Sequence, residues 1–407
     1  MLLLLCTLLS AGCTNHIPRS NLPLITNERC EEQVKVVTIP LPVIASSPNE
    51  GITAGALTAF LVHNKEDEVH ALFAPQINYN KNFGISSSLY GAVYPTKDLN
   101  IEFNLAHSTK VNFNYETRIK QTGLLDNKLD INAFVGTIAD GSARFFGFDA
   151  RTPVQNETNY NDQEIFYNLA GSYSLGKHFK LEIGHRFRDV EIRKGAVTKV
   201  PYIKDVFTEA EVPGINGFTT NAPRISLIYS TLDDKAFPTF GGYTRITFEP
   251  TISDLGGAGD YRHYEVEAKG FIPFADARYV SVFRFMYNQT LGDNVPFLEQ
   301  SILGGENSLR GYGRNRFVDN CFFLVNLEER IRLFRWEIFN VNADWELAPF
   351  VDIGTVMDRV DRIRINNFEV NPGIGFRATV KPNIVGRVDI GIGREGPAVF
   401  VGLGYPF

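Results

Sequence analysis

From about residue 51 to the C-terminus the chain is a succession of segments about 9–14 residues long in which apolar and polar residues alternate. A period of two belongs to β-strands, where successive side chains point to opposite faces. In 322–334, Phe323, Val325, Leu327, Ile331 and Leu333 share one parity with Glu329, while Asn326, Glu328, Arg330 and Arg332 share the other. In 369–381 the parity of Val370, Ile374 and Phe376 opposes that of Asn371, Arg377 and Lys381, and in 387–393 Val388, Ile390 and Ile392 oppose Arg387 and Asp389. No helical period competes over a comparable length. After residue 12 nothing reaches the roughly 18 consecutive apolar residues of a membrane-crossing helix. A soluble sandwich alternates too, but its strands average about 5–6 residues and its outer face is wet. Long strands with one oily face and one charged face fit a lipid-facing exterior around a hydrated lumen.

Composition agrees with many strands and tight turns: 32 Phe, 16 Tyr and 35 Gly stand against 3 Met and 2 Trp. The net charge of −6 leaves no basic face for nucleic acid, which is excluded as a partner. The expected fold is all-β, a transmembrane antiparallel β-barrel.

Residues 1–13, MLLLLCTLLSAGC, form a short apolar run ending in small residues, as an export signal does. Ser10-Ala11-Gly12-Cys13 is similar to the box before a lipid-modified cysteine, so Cys13 is a candidate lipidation site; ordinary cleavage nearby is the alternative. Residues 14–50 carry five prolines and no sustained period and read as a periplasmic tether, with 51–407 as the barrel. Cys30 and Cys321 are then the unmodified thiols, too few for a disulfide framework.

Twelve strand-like segments precede residue 292 and five follow 319. If both termini are periplasmic the number is even, and taking one strand within 52–138 as split gives 16. Length assigns sides: 139–162, 194–222 and 292–319 read as extracellular, and Gly176-Lys177 and 273–276 as periplasmic turns. The chain ends AVFVGLGYPF, where Val399, Val401, Leu403, Tyr405 and Phe407 share one parity. That predicts a last strand whose lipid-facing stripe ends in Tyr405 and Phe407, similar to the C-terminal assembly signal of bacterial outer-membrane barrels. The expected location is the outer membrane of a Gram-negative bacterium.

The long connection 292–319 contains GGENSLRGYGRNRF at 304–317. It lacks the Gly-Lys-Ser/Thr ending of a phosphate loop, which leaves an exposed hairpin tip or a segment folded inward. Glu328 lies on the polar parity of its strand and Asp352 on that of the next, so two acids point into the lumen with no lysine beside them. Arg310, carried by a glycine-jointed loop, offers five donors in a planar fork that can engage both. SLRGYG, with Arg310, Gly311 and Tyr312, resembles the inward-folded loop tip of the BamA/TamA superfamily of outer-membrane barrels. NLEERIR (326–332), FVDIG (350–354) and DDKAFPTFGGY (233–243) resemble three further motifs of that superfamily, in the same order.

The resemblance implies a barrel that inserts or translocates proteins, with a lumenal plug loop and a weak seam between first and last strands. Gly51 and Gly55 in the expected first strand and Gly402 and Gly404 in the last are the seam candidates, because glycine weakens a strand; bulges and curvature explain them equally. Members of that family carry periplasmic domains that capture clients, and 14–50 is too short for one, so a separate periplasmic partner is expected beside client outer-membrane or secreted proteins. A passive channel or a structural outer-membrane barrel remains the alternative. A barrel lipase needs a nucleophile and base close together. No Gly-x-Ser-x-Gly or His-Glu-x-x-His occurs, and neither catalytic residues nor a cofactor or metal is expected.

Overall fold

The computed structural model describes residues 35–64, 69–235, 237–338, 341–380 and 384–407. The expected signal, Cys13 and the first part of the expected tether, to residue 34, lie outside them. The wall is an 18-stranded antiparallel sheet in which each strand pairs with the next in the chain. It begins with β1 (Val36–Ser47), β2 (Gly51–His63), β3 (Val69–Asn80), β4 (Gly84–Thr96), β5 (Leu99–Ser108) and β6 (Phe113–Gly123). It continues through β7 (Leu129–Asp140), β8 (Asn161–Ser174), β9 (Phe179–Arg193), β10 (Phe218–Ser230), β11 (Gly241–Thr251) and β12 (Tyr261–Phe274). β13 (Tyr279–Gly292), β14 (Cys321–Ile338), β15 (Val341–Met357), β16 (Glu369–Val380), β17 (Ile384–Gly393) and β18 (Gly396–Leu403) complete it.

The count is 18 rather than 16. The twelve early segments correspond to β2–β13 without any split; the missing strand is β1, inside the expected tether. Pro40 and Pro42 masked it, since proline within a run argues against a central strand. β1 is not central. Its register with β2 is unbroken from Val36↔Val62 to Ser47↔Gly51. His63 N donates to Lys35 O at 2.9 Å, so odd residues of β1 bond to β2 and even residues turn their backbone groups to the other edge. Pro40 and Pro42 are both even. The groups they lack would have faced away from β2.

β18 mirrors this. Gly404 N donates to Val385 O at 2.8 Å, which assigns the even residues to β17 and leaves Pro397, Val399, Val401 and Leu403 facing the free edge. β1 and β18 lie side by side. Among the described residues no ladder joins them. At one end of this seam a cavity of about 320 Å³ lies between Ser46–Asn49 and Glu395–Val399.

Side chains sort by parity as a barrel in lipid requires. Ile44 is 74% exposed on the outer face and Ile183 64%, whereas Arg330 and Asp389 on the inner face are 0% exposed. The connections 141–160, 194–217 and 293–320 gather at one end, and the short turns 97–98, 175–178 and 275–278 at the other. At the long-loop end Phe145, Tyr160, Ile203, Ile215, Phe297 and Val318 form an apolar cap core drawn from all three loops and the strand ends beneath. Phe145 and Tyr160 each meet Phe297 edge-on at 5.4 and 5.3 Å.

Candidate functional site

The connection from β13 to β14 first forms a short ribbon, Ser301–Leu303 against Phe317–Asp319. Between its arms the chain turns into the lumen. Gly304 and Gly305 take φ of 115° and 97°, a region that favours glycine. Gly311 and Gly313 have no positive φ; their role is close approach. A Cβ on Gly311 would lie 2.7 Å from Asn371 Nδ2 and from Gly393 N. A Cβ on Gly391 would lie 2.1 Å from the Arg310 carbonyl oxygen. The bare β17 backbone therefore lets the loop tip rest against the wall.

Arg310 is 1% exposed. Its backbone N and Nε donate to Asp352 Oδ2 at 3.0 and 2.9 Å, Nη2 donates to Asp352 Oδ1 at 2.8 Å, and Nη1 donates to Glu328 Oε2 at 2.8 Å. Asp389 Oδ1 lies 3.6 Å from Nη1. The Phe350 ring covers the guanidinium at 3.4 Å from its centroid, a cation–π contact in a dry site. Glu328 and Asp352 stand diagonally across β14 and β15, where Asn326 faces Asp352 and Glu328 faces Phe350.

Sequence reading located two acids and one arginine here; four strands contribute. Arg377 on β16 reaches Asp389 at 2.8 Å and Glu328 at 3.2 Å. Arg330 reaches Glu328 at 3.1 Å, Arg387 reaches Asp389 at 3.2 Å, and Asn326 Nδ2 donates to Asp352 at 2.8 Å. The missed residues all sit on the inward parity of neighbouring strands, which was the available signal. The expectation of a hydrated surrounding fails: the side chains of Glu328, Asp352 and Asp389 are each 0% exposed, because the loop fills the lumen at this level.

The rest of the loop is held as well. The Tyr312 hydroxyl donates to Glu369 and accepts from Arg394 N at 3.2 Å. Arg284 on β13 donates to Asn307 O at 2.7 Å, and Arg387 donates to Glu306 O at 3.2 Å. Cys321 is a buried free thiol at the start of β14; Cys30 lies outside the described residues.

Two sequence placements change. Gly51 and Gly55 belong to β2 and not to the seam, since β1 precedes them. Of the four seam candidates, Gly402 is in β18 and Gly404 directly follows it. Tyr405 and Phe407 do not continue the lipid-facing stripe. β18 stops at Leu403, Gly404 takes φ of 81°, and the chain swings into the lumen. There Tyr405 donates to Glu346 Oε2 at 3.0 Å and its ring lies 3.7 Å from the Arg330 guanidinium. Phe407 packs against Phe271, Val280 and Val282. Parity carried through Gly404 misplaced them, because a left-handed residue breaks the alternation.

The Omp85 superfamily domain matches residues 80–380. The structure of BamA from Haemophilus ducreyi lacking POTRA domains 1–3 is similar at TM-score 0.53 and 13% identity, covering 89% of this chain and 74% of that one. CdiB from Escherichia coli is similar at TM-score 0.51 and 13% identity, covering 90% of this chain and 61% of that one. At such identities the likeness is one of fold, and the chain spans about three-fifths of the length of CdiB. No relative was found among curated proteins. The chain belongs to the Omp85 superfamily and is an outer-membrane β-barrel of a Gram-negative bacterium.

Proposed function

We propose that this barrel assists the insertion or translocation of client proteins at the outer membrane, using the β1–β18 seam as the working edge and the Arg310 loop as a lumenal plug. In this reading the long loops are extracellular and the short turns periplasmic. The observation that supports it most is the seam itself. A closed barrel satisfies every backbone group by pairing with a neighbour, because lipid offers no partner. Here β1 and β18 are adjacent without a ladder, and prolines remove donors from both free edges. Such an edge can part at far less cost than any other pair of strands.

The proposal includes client outer-membrane or secreted proteins and a separate periplasmic partner that delivers them. A photo-reactive amino acid at Ile44 or Val401, both at the seam and outward-facing, should capture nascent outer-membrane proteins in growing cells. The same probe at Ile183, on β9 and equally lipid-facing, should capture none. Equal capture at all three positions, or capture of lipid alone, would overturn the reading. A measurable wild-type conductance in planar bilayers, larger in a plug-deleted variant, together with no client captured at the seam, would favour a passive channel instead.

A further inference from the structure

The last three residues leave the seam strand and end beneath the plug. Tyr405 stacks on Arg330, and Phe407 lies 5.6 Å from the Arg310 guanidinium and 5.5 Å from that of Arg284. All three distances are within the reach of a cation–π contact. Arg310 and Arg330 grip opposite oxygens of Glu328, at 2.8 and 3.1 Å, with Arg377 sharing the oxygen that Arg310 holds. Arg284 also holds the plug backbone at Asn307. The tail thus touches three of the arginines that organise the plug. It touches the wall as well, since Phe407 rests on the apolar patch of Phe271, Val280 and Val282. From below, Phe237 of the 231–240 turn meets Tyr405 edge-on at 6.4 Å. Among the described residues Arg330 Nη1 and Nη2 have no hydrogen-bond partner, and of the two rings over this charge Tyr405 at 3.7 Å lies nearer than Phe271 at 5.5 Å.

We infer that Tyr405 and Phe407 are positioning residues that couple the seam to the plug: the tail is a latch, fastened to β18 through Gly404, whose aromatic rings hold the plug arginines in place. Movement of β18 away from β1 draws the tail with it, uncovers Arg310 and Arg330, and loosens the loop. Conversely, a seated tail holds β18 in line with the wall. The inference rests on the proposed seam opening for its purpose. The contact between tail and plug is testable without any client.

The test uses the full-length protein, refolded into liposomes, with protease cleavage inside 293–320 as the readout. Phe407→Leu keeps apolar contact but loses the ring face, and should raise the cleavage rate about two- to tenfold, the range set by a cation–π contact of about 0.5–1.4 kcal/mol. Phe407→Tyr should restore it. Because C-terminal changes can impair assembly, Val280→Ala with Val282→Ala provides a second route: it strips the floor under the ring, leaves the terminus intact, and should raise cleavage likewise. Pro40→Val with Pro42→Val, which supplies the missing donors of β1, should lower cleavage in the wild type and have no such effect beside Phe407→Leu. Unchanged cleavage in both Phe407→Leu and the Val280/Val282 variant, or failure of Phe407→Tyr to restore it, would overturn the latch. Neither result depends on client capture at Ile44 or Val401, so the latch and the proposed function can fail separately.

Discussion

The partners of Arg310 are not equal, and the inequality predicts how its loss will be felt. Without the guanidinium, Glu328 still has Arg330 at 3.1 Å and Arg377 at 3.2 Å. Asp352 keeps only the Asn326 amide among its described side-chain partners. Breaking a buried ion pair costs about 3–5 kcal/mol, chiefly through the charge left behind. Arg310→Ala should therefore release the plug to protease, and adding Asp352→Asn should recover most of the protection. Adding Glu328→Gln instead should recover none, and should harm further by leaving Arg330 and Arg377 short of a carboxylate. Arg310→Lys should protect partly, since an ammonium cannot form the two-point contact with Asp352. Limited proteolysis of the four variants beside the wild type ranks them. Residue-level reading of the sequence found Arg310, Glu328 and Asp352 because a two-residue period tells inward from outward. It could not find Asp389 or Arg377 as partners, although both are inward by parity, because period says nothing about the depth at which two strands face each other across a loop.

Among the elements, β1 carries the clearest consequence. Its prolines interrupt the run that would identify it from sequence, and the same prolines strip donors from the edge that faces β18. Pro40→Val with Pro42→Val restores two N–H groups toward that edge. Each ladder bond contributes about 0.5–1.5 kcal/mol net. The double variant should raise the midpoint of thermal unfolding and slow hydrogen exchange at Val399, Val401 and Leu403, while reducing client capture at the seam. Faster exchange there would mean that the prolines seal the edge rather than keep it open. β17 makes a second point. Gly391→Val would place a side chain where the Arg310 carbonyl sits, so the plug tip should be displaced with the wall intact, seen as loop cleavage without loss of heat-modifiable mobility. Strands β2–β18 were legible because alternation persists along most of them, despite register shifts in β3, β4 and β14. β1 was not, since the physical feature that suits it to an edge is the one that disguises a strand.

For the molecule as a whole, the cap over the long-loop end brings charge into an apolar setting. Burial pushes the Asp319 carboxyl up to about 6, with Asp358 and Asp149 adding repulsion. Its folded pKa is above the unfolded value of about 3.9, so the folded cap binds more protons through that window. Stability of the cap should fall as pH rises from about 4 to about 6 and be level above it. Asp319→Asn should flatten that slope and stabilise the cap near neutral pH by on the order of 2 kcal/mol, measured by hydrogen exchange of 317–319. The wall also varies in height around its circumference. β14 has 18 residues and β15 has 17, whereas β18 has 8. At about 3.3 Å per residue and a tilt near 40°, the last strand rises only about 20 Å, less than the roughly 25 Å apolar band of such barrels. Lipid chains beside it must compress, tilt or leave the headgroups dipped toward the strand, and each Å of mismatch carries an elastic penalty. The bilayer is then thinnest against the joint that, among the described residues, no ladder closes, so that a polar segment placed there would cross a shorter stretch of oil than beside the taller strands.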